Sequence, residues 1–407
     1  MLQKIAKLFR SIGPGMIIAA LVLGPGSVSS ISANGSTLGN RMLWLIMLCG
    51  AFMMTYTILS AKFGAVVEKS FLSHLAASYG RWLSVIIGIC CFLVCAGFQG
   101  GNNIGVGMSM NAIFGGSIGM WAVAFTALAV FFLFYFQSLY RALERLMMLL
   151  IVTMIVAFVG NLIVAKPDPV SIASGLIPSW PAGTSLIGVV AIVSTSFSVF
   201  GALFQAYLVQ EKDWGDDLLG ESIRDSIVGI AALTLISAVI LVTAATVLAT
   251  RGIAVKNAAD MAVQLEPLLG RSAKWLFCMG LWGASFSSFI GNAVLGGTIL
   301  ADGLGIGGKV SDMISKLIAA LIMIIGATIA VLTQGQTPVE IIILLQAVII
   351  IAVPLTAFML FWESNRRSVM GNSVPRWWVN LLAVGGLVTI CLLAFNTLKG
   401  LIVRFIG

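Results

Sequence analysis

Apolar runs long enough to cross roughly 30 Å of hydrocarbon as helices recur along the whole chain, separated by short polar stretches. They predict spans near 13–35, 42–63, 82–113, 116–136, 145–165, 184–210, 227–249, 273–301, 313–332, 339–361 and 377–402. The pattern reads as an all-α polytopic membrane protein of eleven transmembrane helices, with no room for a sizeable soluble domain. Basic residues Lys4, Lys7 and Arg10 ahead of a short apolar run could mimic a cleaved signal peptide. The later helices repeat the same interrupted design, which favours a retained first span.

Two of these runs are interrupted by polar or helix-breaking residues. In the first, Gly24-Pro25-Gly26-Ser27 is followed by Ser29, Ser30 and Ser32. Proline removes a ladder donor and clashes with the preceding turn, so a continuous helix is not expected there. In the sixth, Ser194-Thr195-Ser196 and Ser198 lie mid-span with Gly201 beyond. Unwound backbone at membrane depth persists only where it is buried in protein or lines a cavity. Interruptions five helices apart predict two inverted repeats, 13–165 and 184–362, with 377–402 as an appended eleventh helix and the substrate at the breaks. An ordinary bundle with a proline kink is the plainer alternative.

Composition agrees with this pattern: 59% of residues are hydrophobic and 9% charged, with a mean hydropathy of +1.07. Lys4, Lys7, Arg10, Lys62, Lys69, Arg81, Arg141, Arg145, Lys212, Arg224, Lys309, Lys316, Arg366, Arg367 and Arg376 fall on one side when loops are counted alternately, 15 of 23 basic residues. That bias predicts an inner-membrane protein with a cytoplasmic N-terminus and an extracytoplasmic C-terminus. The net charge of +8 is thus a topology signal, and no basic patch with interleaved aromatics suggests nucleic acid. All six cysteines fall within spans, without a disulfide framework or a CxxC zinc pattern.

Several stretches resemble the Nramp (natural resistance-associated macrophage protein) family of metal transporters, which share the LeuT-type fold. These are Gly13-Pro14-Gly15, Gly24-Pro25-Gly26-Ser27, Leu265 through Gly270 to Ser288, and Ser364-Asn365-Arg366-Arg367 with Met370-Gly371. The resemblance implies alternating access and a metal held by an Asp and an Asn of the first helix and a Met of the sixth. Here Gly24 and Ser27 stand at the first-helix positions, and Ser198, Val199 and Phe200, or Ala202, Leu203 and Phe204, at the sixth-helix stretch. The family's tenth-helix glutamine aligns with Ala352, near Gln346, and its acidic proton-pathway pair with Gln99 and Asn102.

All fifteen carboxylates, and His74, fall in loops or at helix ends by this span assignment. A bare divalent cation at the midplane needs anionic or strong donor ligands in place of its hydration shell, and a proton relay normally needs Asp, Glu or His inside the membrane. Half-helix N-termini beside the hydroxyls of Ser27, Ser29 and Ser198 would favour an anion or a neutral polar molecule. The expectation is therefore a secondary transporter of a small anionic or neutral polar solute, with Gly24, Pro25, Gly26, Ser27, Ser29, Ser198 and Gly201 at the substrate and Gln99, Asn102, Asn103 and Gln346 along the pathway. One alternative is a divalent metal cation transporter, for example of partly hydrated Mg²⁺. Another is a receptor or sensor that does not transport.

Ser287-Ser288 resemble the hydroxyl pair that completes a Na⁺ site in sodium-coupled relatives of the LeuT-type fold, so Na⁺ is the one cofactor considered, as a coupling ion. Hydroxyls in membrane helices also bond to the preceding turn. Asn292 reads as packing. No buried nucleophile, base or metal-ligand group suggests an enzyme, and beyond solute and lipid bilayer no protein partner is indicated.

Overall fold

The computed structural model describes residues 13–135, 152–181, 184–334 and 336–406, and every regular element among them is helical. Lys4, Lys7, Arg10, Arg141, Glu144, Arg145 and the start of the fifth span lie outside the described residues. The elements that matter here are α1 (Pro14–Val22), α2 (Pro25–Leu38), α3 (Leu43–Val66), α4 (Phe71–Tyr79), α5 (Arg81–Phe114), α6 (Ile118–Tyr135) and α7 (Val152–Ala165). They continue with α8 (Leu186–Ser196), α9 (Val199–Glu211), α10 (Leu219–Ala244), α11 (Ala258–Ala262), α12 (Ala273–Leu304), α13 (Met313–Leu332), α14 (Pro338–Val348), α15 (Pro354–Asn365) and α16 (Trp377–Ile406).

Eight helical stretches among the described residues are long and apolar enough to cross a membrane, nine if the pair ending at Ala352 and starting at Pro354, bent by 49°, forms one span. The expected total of eleven also needs α1 and α7, which are too short to qualify on length alone.

Both expected interruptions are present. The first span breaks at Leu23–Gly24 between α1 and α2, and the sixth at Phe197–Ser198 between α8 and α9. Around them α5 and α12 form the longest packed pair. Small residues allow the close approach: a Cβ on Gly303 would strike the Ser84 carbonyl at 2.6 Å, and one on Gly105 would strike Pro25 and Ser285. The eleventh-span helix α16 leans on α3, where the Tyr56 hydroxyl donates to the Ala383 carbonyl at 3.1 Å.

The chain enters α1 at the face that also carries α4, the C-termini of α9, α12 and α15 and the N-terminus of α10. This is called the entry face below, and its opposite the far face. The expectation that carboxylates sit only in loops or at helix ends needs one correction: Asp225 lies within α10, where its carboxylate accepts the Gly15 N–H at 2.6 Å. Asp302 and Glu363 are at helix ends, yet both are almost wholly buried.

Candidate functional site

The break in the first span follows from one missing donor. In an unbroken helix the Leu21 carbonyl would accept the N–H of residue 25, and Pro25 has none. The freed Leu21 carbonyl instead accepts the Ser288 hydroxyl at 2.6 Å. The next carbonyl, Val22, accepts the Ser27 hydroxyl and the Gly24 N–H, both at 2.8 Å. The sixth span has no proline. There Phe197 and Ser198 leave helical geometry and the Ser198 Oγ caps α9 by accepting the Gly201 N–H at 3.2 Å. The first half, α8, is tied to the tenth span by the Ser194 hydroxyl on the Gln346 carbonyl at 2.6 Å.

A cavity of about 30 Å³ lies between the breaks. At roughly 10–15 Å³ of such volume per water, it holds about two waters. Its polar lining comes from Ser27 on α2, Asn102 on α5, Thr195 and Ser198 at the sixth-span break, Ser288 and Asn292 on α12, and Gln346 on α14. Gly24, Gly26 and Gly201 line it too, while Phe98, Phe200 and Leu295 give it apolar walls. Glycine at 24 and 26 is a matter of space. A Cβ on Gly24 would meet the Ser288 Oγ at 2.8 Å and the Asn102 Oδ1 at 3.3 Å, and one on Gly26 would occupy the place of the Gln346 amide.

The structure thus gathers Gly24, Gly26, Ser27, Ser198, Gly201, Asn102, Gln346 and Ser288 around one space, and leaves other expected residues out. Pro25 packs against Gly105, and the Ser29 hydroxyl is buried away from the lining with no hydrogen-bond partner among the described residues. Gln99 and Asn103 are corrected from pathway to helix-to-helix contacts. The Gln99 Oε1 accepts from the Asn292 amide at 3.2 Å. Asn103, oriented so that both ends are satisfied, donates to the Gln99 carbonyl at 2.9 Å and accepts from Thr126 Oγ1 at 2.8 Å and the Ala327 N–H at 3.1 Å. Of the Ser287-Ser288 pair only Ser288 is in the lining, so the two hydroxyls do not share this space. Thr195 and Asn292 are the polar residues missed. Nothing in a local pattern singles them out, because a helix of small and polar residues reads equally well as packing.

The direction of the hydroxyls revises the electrostatic expectation. Ser27 and Ser288 point their protons at carbonyls of the broken first helix, so toward the cavity they present lone pairs. Asn292 uses its nitrogen on the Cys95 carbonyl at 2.8 Å and on Gln99, which turns its oxygen the other way. Anion binding would need free donors at the half-helix N-termini. At these starts Pro25 has no N–H, the Gly24 N–H is taken by Val22 and the Gly201 N–H by Ser198, which leaves the first-turn N–H groups of Gly26, Ser27, Val199 and Phe200 as the donors an anion could use. No group of three or more His, Cys, Asp or Glu side chains suited to a metal occurs among the described residues.

Comparison with known proteins places this geometry in a family. The model for Nramp, described as natural resistance-associated macrophage protein-like, matches residues 15–399. The chain is 24% identical over 394 residues to the divalent metal cation transporter MntH of Listeria monocytogenes, covering 93% of this chain and 86% of that one. It is 25% identical over 403 residues to the MntH of Nostoc sp., covering 96% and 90%. Among solved structures, a manganese transporter of Eremococcus coleocola superposes with a TM-score of 0.81 at 21% identity, over 97% of this chain and 87% of the other. Mhp1, a nucleobase-cation-symport-1 family transporter in a closed conformation, gives 0.60 at 12% identity, over 97% and 94%. The all-helical, LeuT-type fold expected from the sequence is the fold these similarities support.

Proposed function

Because this chain belongs to the Nramp family of membrane transporters, we propose that it moves a divalent metal cation by alternating access, the ion keeping part of its water between the two helix breaks. The observation that carries this reading is the direction of the hydroxyls: Ser27 and Ser288 offer the cavity oxygen lone pairs and not protons. A wall of acceptors attracts cations. The relatives named as divalent metal cation transporters point the same way, and nothing in the comparisons supports the anionic or neutral solute.

Neutral oxygens alone compensate a bare Mn²⁺ poorly, since it prefers carboxylate, imidazole or thioether ligands. Mg²⁺ dehydrates reluctantly and usually keeps several waters. The cavity admits an ion with one or two waters and excludes a complete hydration shell in this conformation, so Ser27, Ser288, Asn102, Asn292 and Gln346 would complete the coordination. The basic-residue bias supports a cytoplasmic entry face in an eleven-helix topology with inverted repeats. A Na⁺ role for Ser288 with the Leu21 carbonyl belongs to the same proposal, and substrate uptake unchanged when choline replaces sodium would remove it.

Purified protein in liposomes, loaded with a fluorescent divalent-cation reporter, tests the main reading. Saturable Mg²⁺ or Mn²⁺ uptake is expected. Absence of both binding and flux for either ion would return the neutral or anionic solute to first place, and binding without flux would indicate a sensor.

A further inference from the structure

Two amides on unbroken helices line the cavity, and neither is fully satisfied by the residues around it. Asn102 of α5 is 5% exposed, lines the cavity beside Gly24, and has no hydrogen-bond partner among the described residues. Leaving a buried amide unpaired costs about 1–3 kcal/mol unless something mobile pairs with it. Asn292 of α12, also 5% exposed, differs in being half satisfied. Both hydrogens of its nitrogen are committed, to the Cys95 carbonyl at 2.8 Å and the Gln99 Oε1 at 3.2 Å. Its oxygen has no hydrogen-bond partner among the described residues. Gln99 is fully buried and flanked by Asn103, itself fixed against Thr126 and Ala327. Rotation of the Asn292 amide by half a turn would set its oxygen against the Cys95 carbonyl and the Gln99 oxygen, a repulsive arrangement, so the acceptor end is held toward the cavity.

We propose that Asn102 and Asn292 are cargo-binding and specificity-determining residues, supplying cation ligands from the third and eighth spans, and that Gln99 is a positioning residue that keeps the Asn292 oxygen facing the ion. The proposal rests on the cation reading above. It moves part of the binding energy from the broken helices, where Gly24 has no side chain to offer, to the intact wall beside them. An amide oxygen is a hard neutral ligand that suits an ion retaining water.

Uptake of Mg²⁺ and Mn²⁺ into liposomes is measured for wild type, Asn292→Leu, Asn292→Asp, Asn102→Leu, Gln99→Leu and the Gln99→Leu/Asn292→Leu double variant. Asn292→Leu and Asn102→Leu are each expected to raise KM about tenfold, the loss of one ligand worth about 1.4 kcal/mol, with maximal rate little changed. The near-isosteric Asn292→Asp is expected to lower KM and slow release. Gln99→Leu is expected to raise KM about threefold, and the double variant to be no worse than Asn292→Leu alone, since Gln99 acts through Asn292. A purely structural Gln99 would lower yield and maximal rate and add to the Asn292 effect.

If wild type carries a divalent cation while Asn292→Leu and Asn292→Asp keep its KM, the proposal fails and the cation reading stands. If wild type carries none, both fail. Should Asn292→Leu not fold, the sign of the KM change in Asn292→Asp decides: a rise overturns the assignment.

Discussion

The two faces of the molecule tie their helices together with different chemistry. At the entry face the short helix α4 and its N-cap Ser70 reach three spans through buried carboxylates. Asp302, 1% exposed, accepts from the hydroxyls of Ser70 at 2.8 Å, Ser73 at 2.6 Å and Tyr207 at 2.7 Å. Glu363, with no exposure, meets His74 at 2.8 Å, Tyr79 at 2.6 Å and Arg366 at 3.1 Å. At the far face the buried contacts are neutral, and the Arg251–Glu266 ion pair at 2.6 Å is half exposed and so contributes little. Gln264, in the 3-10 turn Val263–Leu265 that continues α11, donates to the Ser32 hydroxyl at 2.9 Å, and its carbonyl accepts from Asn161 at 2.7 Å. Hydrogen bonds to charged groups contribute about 1.5–3 kcal/mol and neutral ones about 0.5–1.5. The entry face is therefore the more firmly tied of the two in this conformation, and the alternating access proposed above would have to disrupt it by more than the other.

The sharpest way to break this comparison is through backbone contact. A Cβ on Gly229 of α10 would strike the backbone of Gly15, which cannot give way, so α1 would be driven from its place at the entry face. Gly188 near the start of α8, at the far face, has more room: its Cβ would meet only the Asn34 amide, at 3.1 Å. Gly229→Ala is expected to abolish folded protein or leave the entry face permanently open. Gly188→Ala should be close to wild type. Monodisperse yield and the alkylation rate of Cys95, the one cysteine lining the cavity, read both.

Removing hydroxyls from Asp302 is the next largest effect. Ser70→Ala with Ser73→Ala leaves that buried carboxylate only Tyr207, a loss of about 3 kcal/mol from the closed state by the same magnitudes. Entry-face labelling of Cys95 should then accelerate on the order of 100-fold if opening limits the reaction. A rate within a factor of two of wild type would show that α4 does not hold this face shut.

How much of this is legible in the sequence depends on the range of the interaction. Long apolar runs locate the spans, and Pro25 locates the first break because a missing N–H is a local fact. The sixth break is visible only as a run of Ser and Thr, and the turn falls at Phe197–Ser198, at the edge of that run. The α4 closure is not legible, since residues 70–79 meet 207, 302 and 363 only after three spans pack together. The cavity was half legible: Gly24, Ser27, Ser198, Asn102 and Gln346 are there, whereas Gln99 and Asn292 exchange the roles expected of them. Residue type cannot tell which end of a hydroxyl or an amide faces a cavity. That single unknown separates the anionic expectation from the cation reading proposed above.

Ser32→Ala at the far face sharpens the comparison from the weaker side. It removes one neutral bond, about 1 kcal/mol, so far-face labelling of Cys95 should rise about fivefold, well below the effect of the Ser70 and Ser73 pair. An equal or greater effect would reverse the ranking of the two closures.

Alkaline pH gives the smallest effect and isolates one donor. Tyr79 lies on α4, outside the spans, and its pKa is raised above the ordinary 10.0, first by partial burial and then by donation to Glu363. A group whose folded pKa is raised contributes stability that is complete below its unfolded value and is lost as pH climbs through the folded one. Its share of the entry-face closure should therefore be intact through neutral and mildly alkaline pH and decline only above about pH 10. Arg366, which also faces the phenol, is itself shifted upward, mainly by its hydrogen bond to Glu363, and stays charged over that range. Tyr79→Phe should label slightly faster than wild type at neutral pH and lack the alkaline rise. If the variant keeps that rise, the phenol proton is not what fails when the entry face loosens.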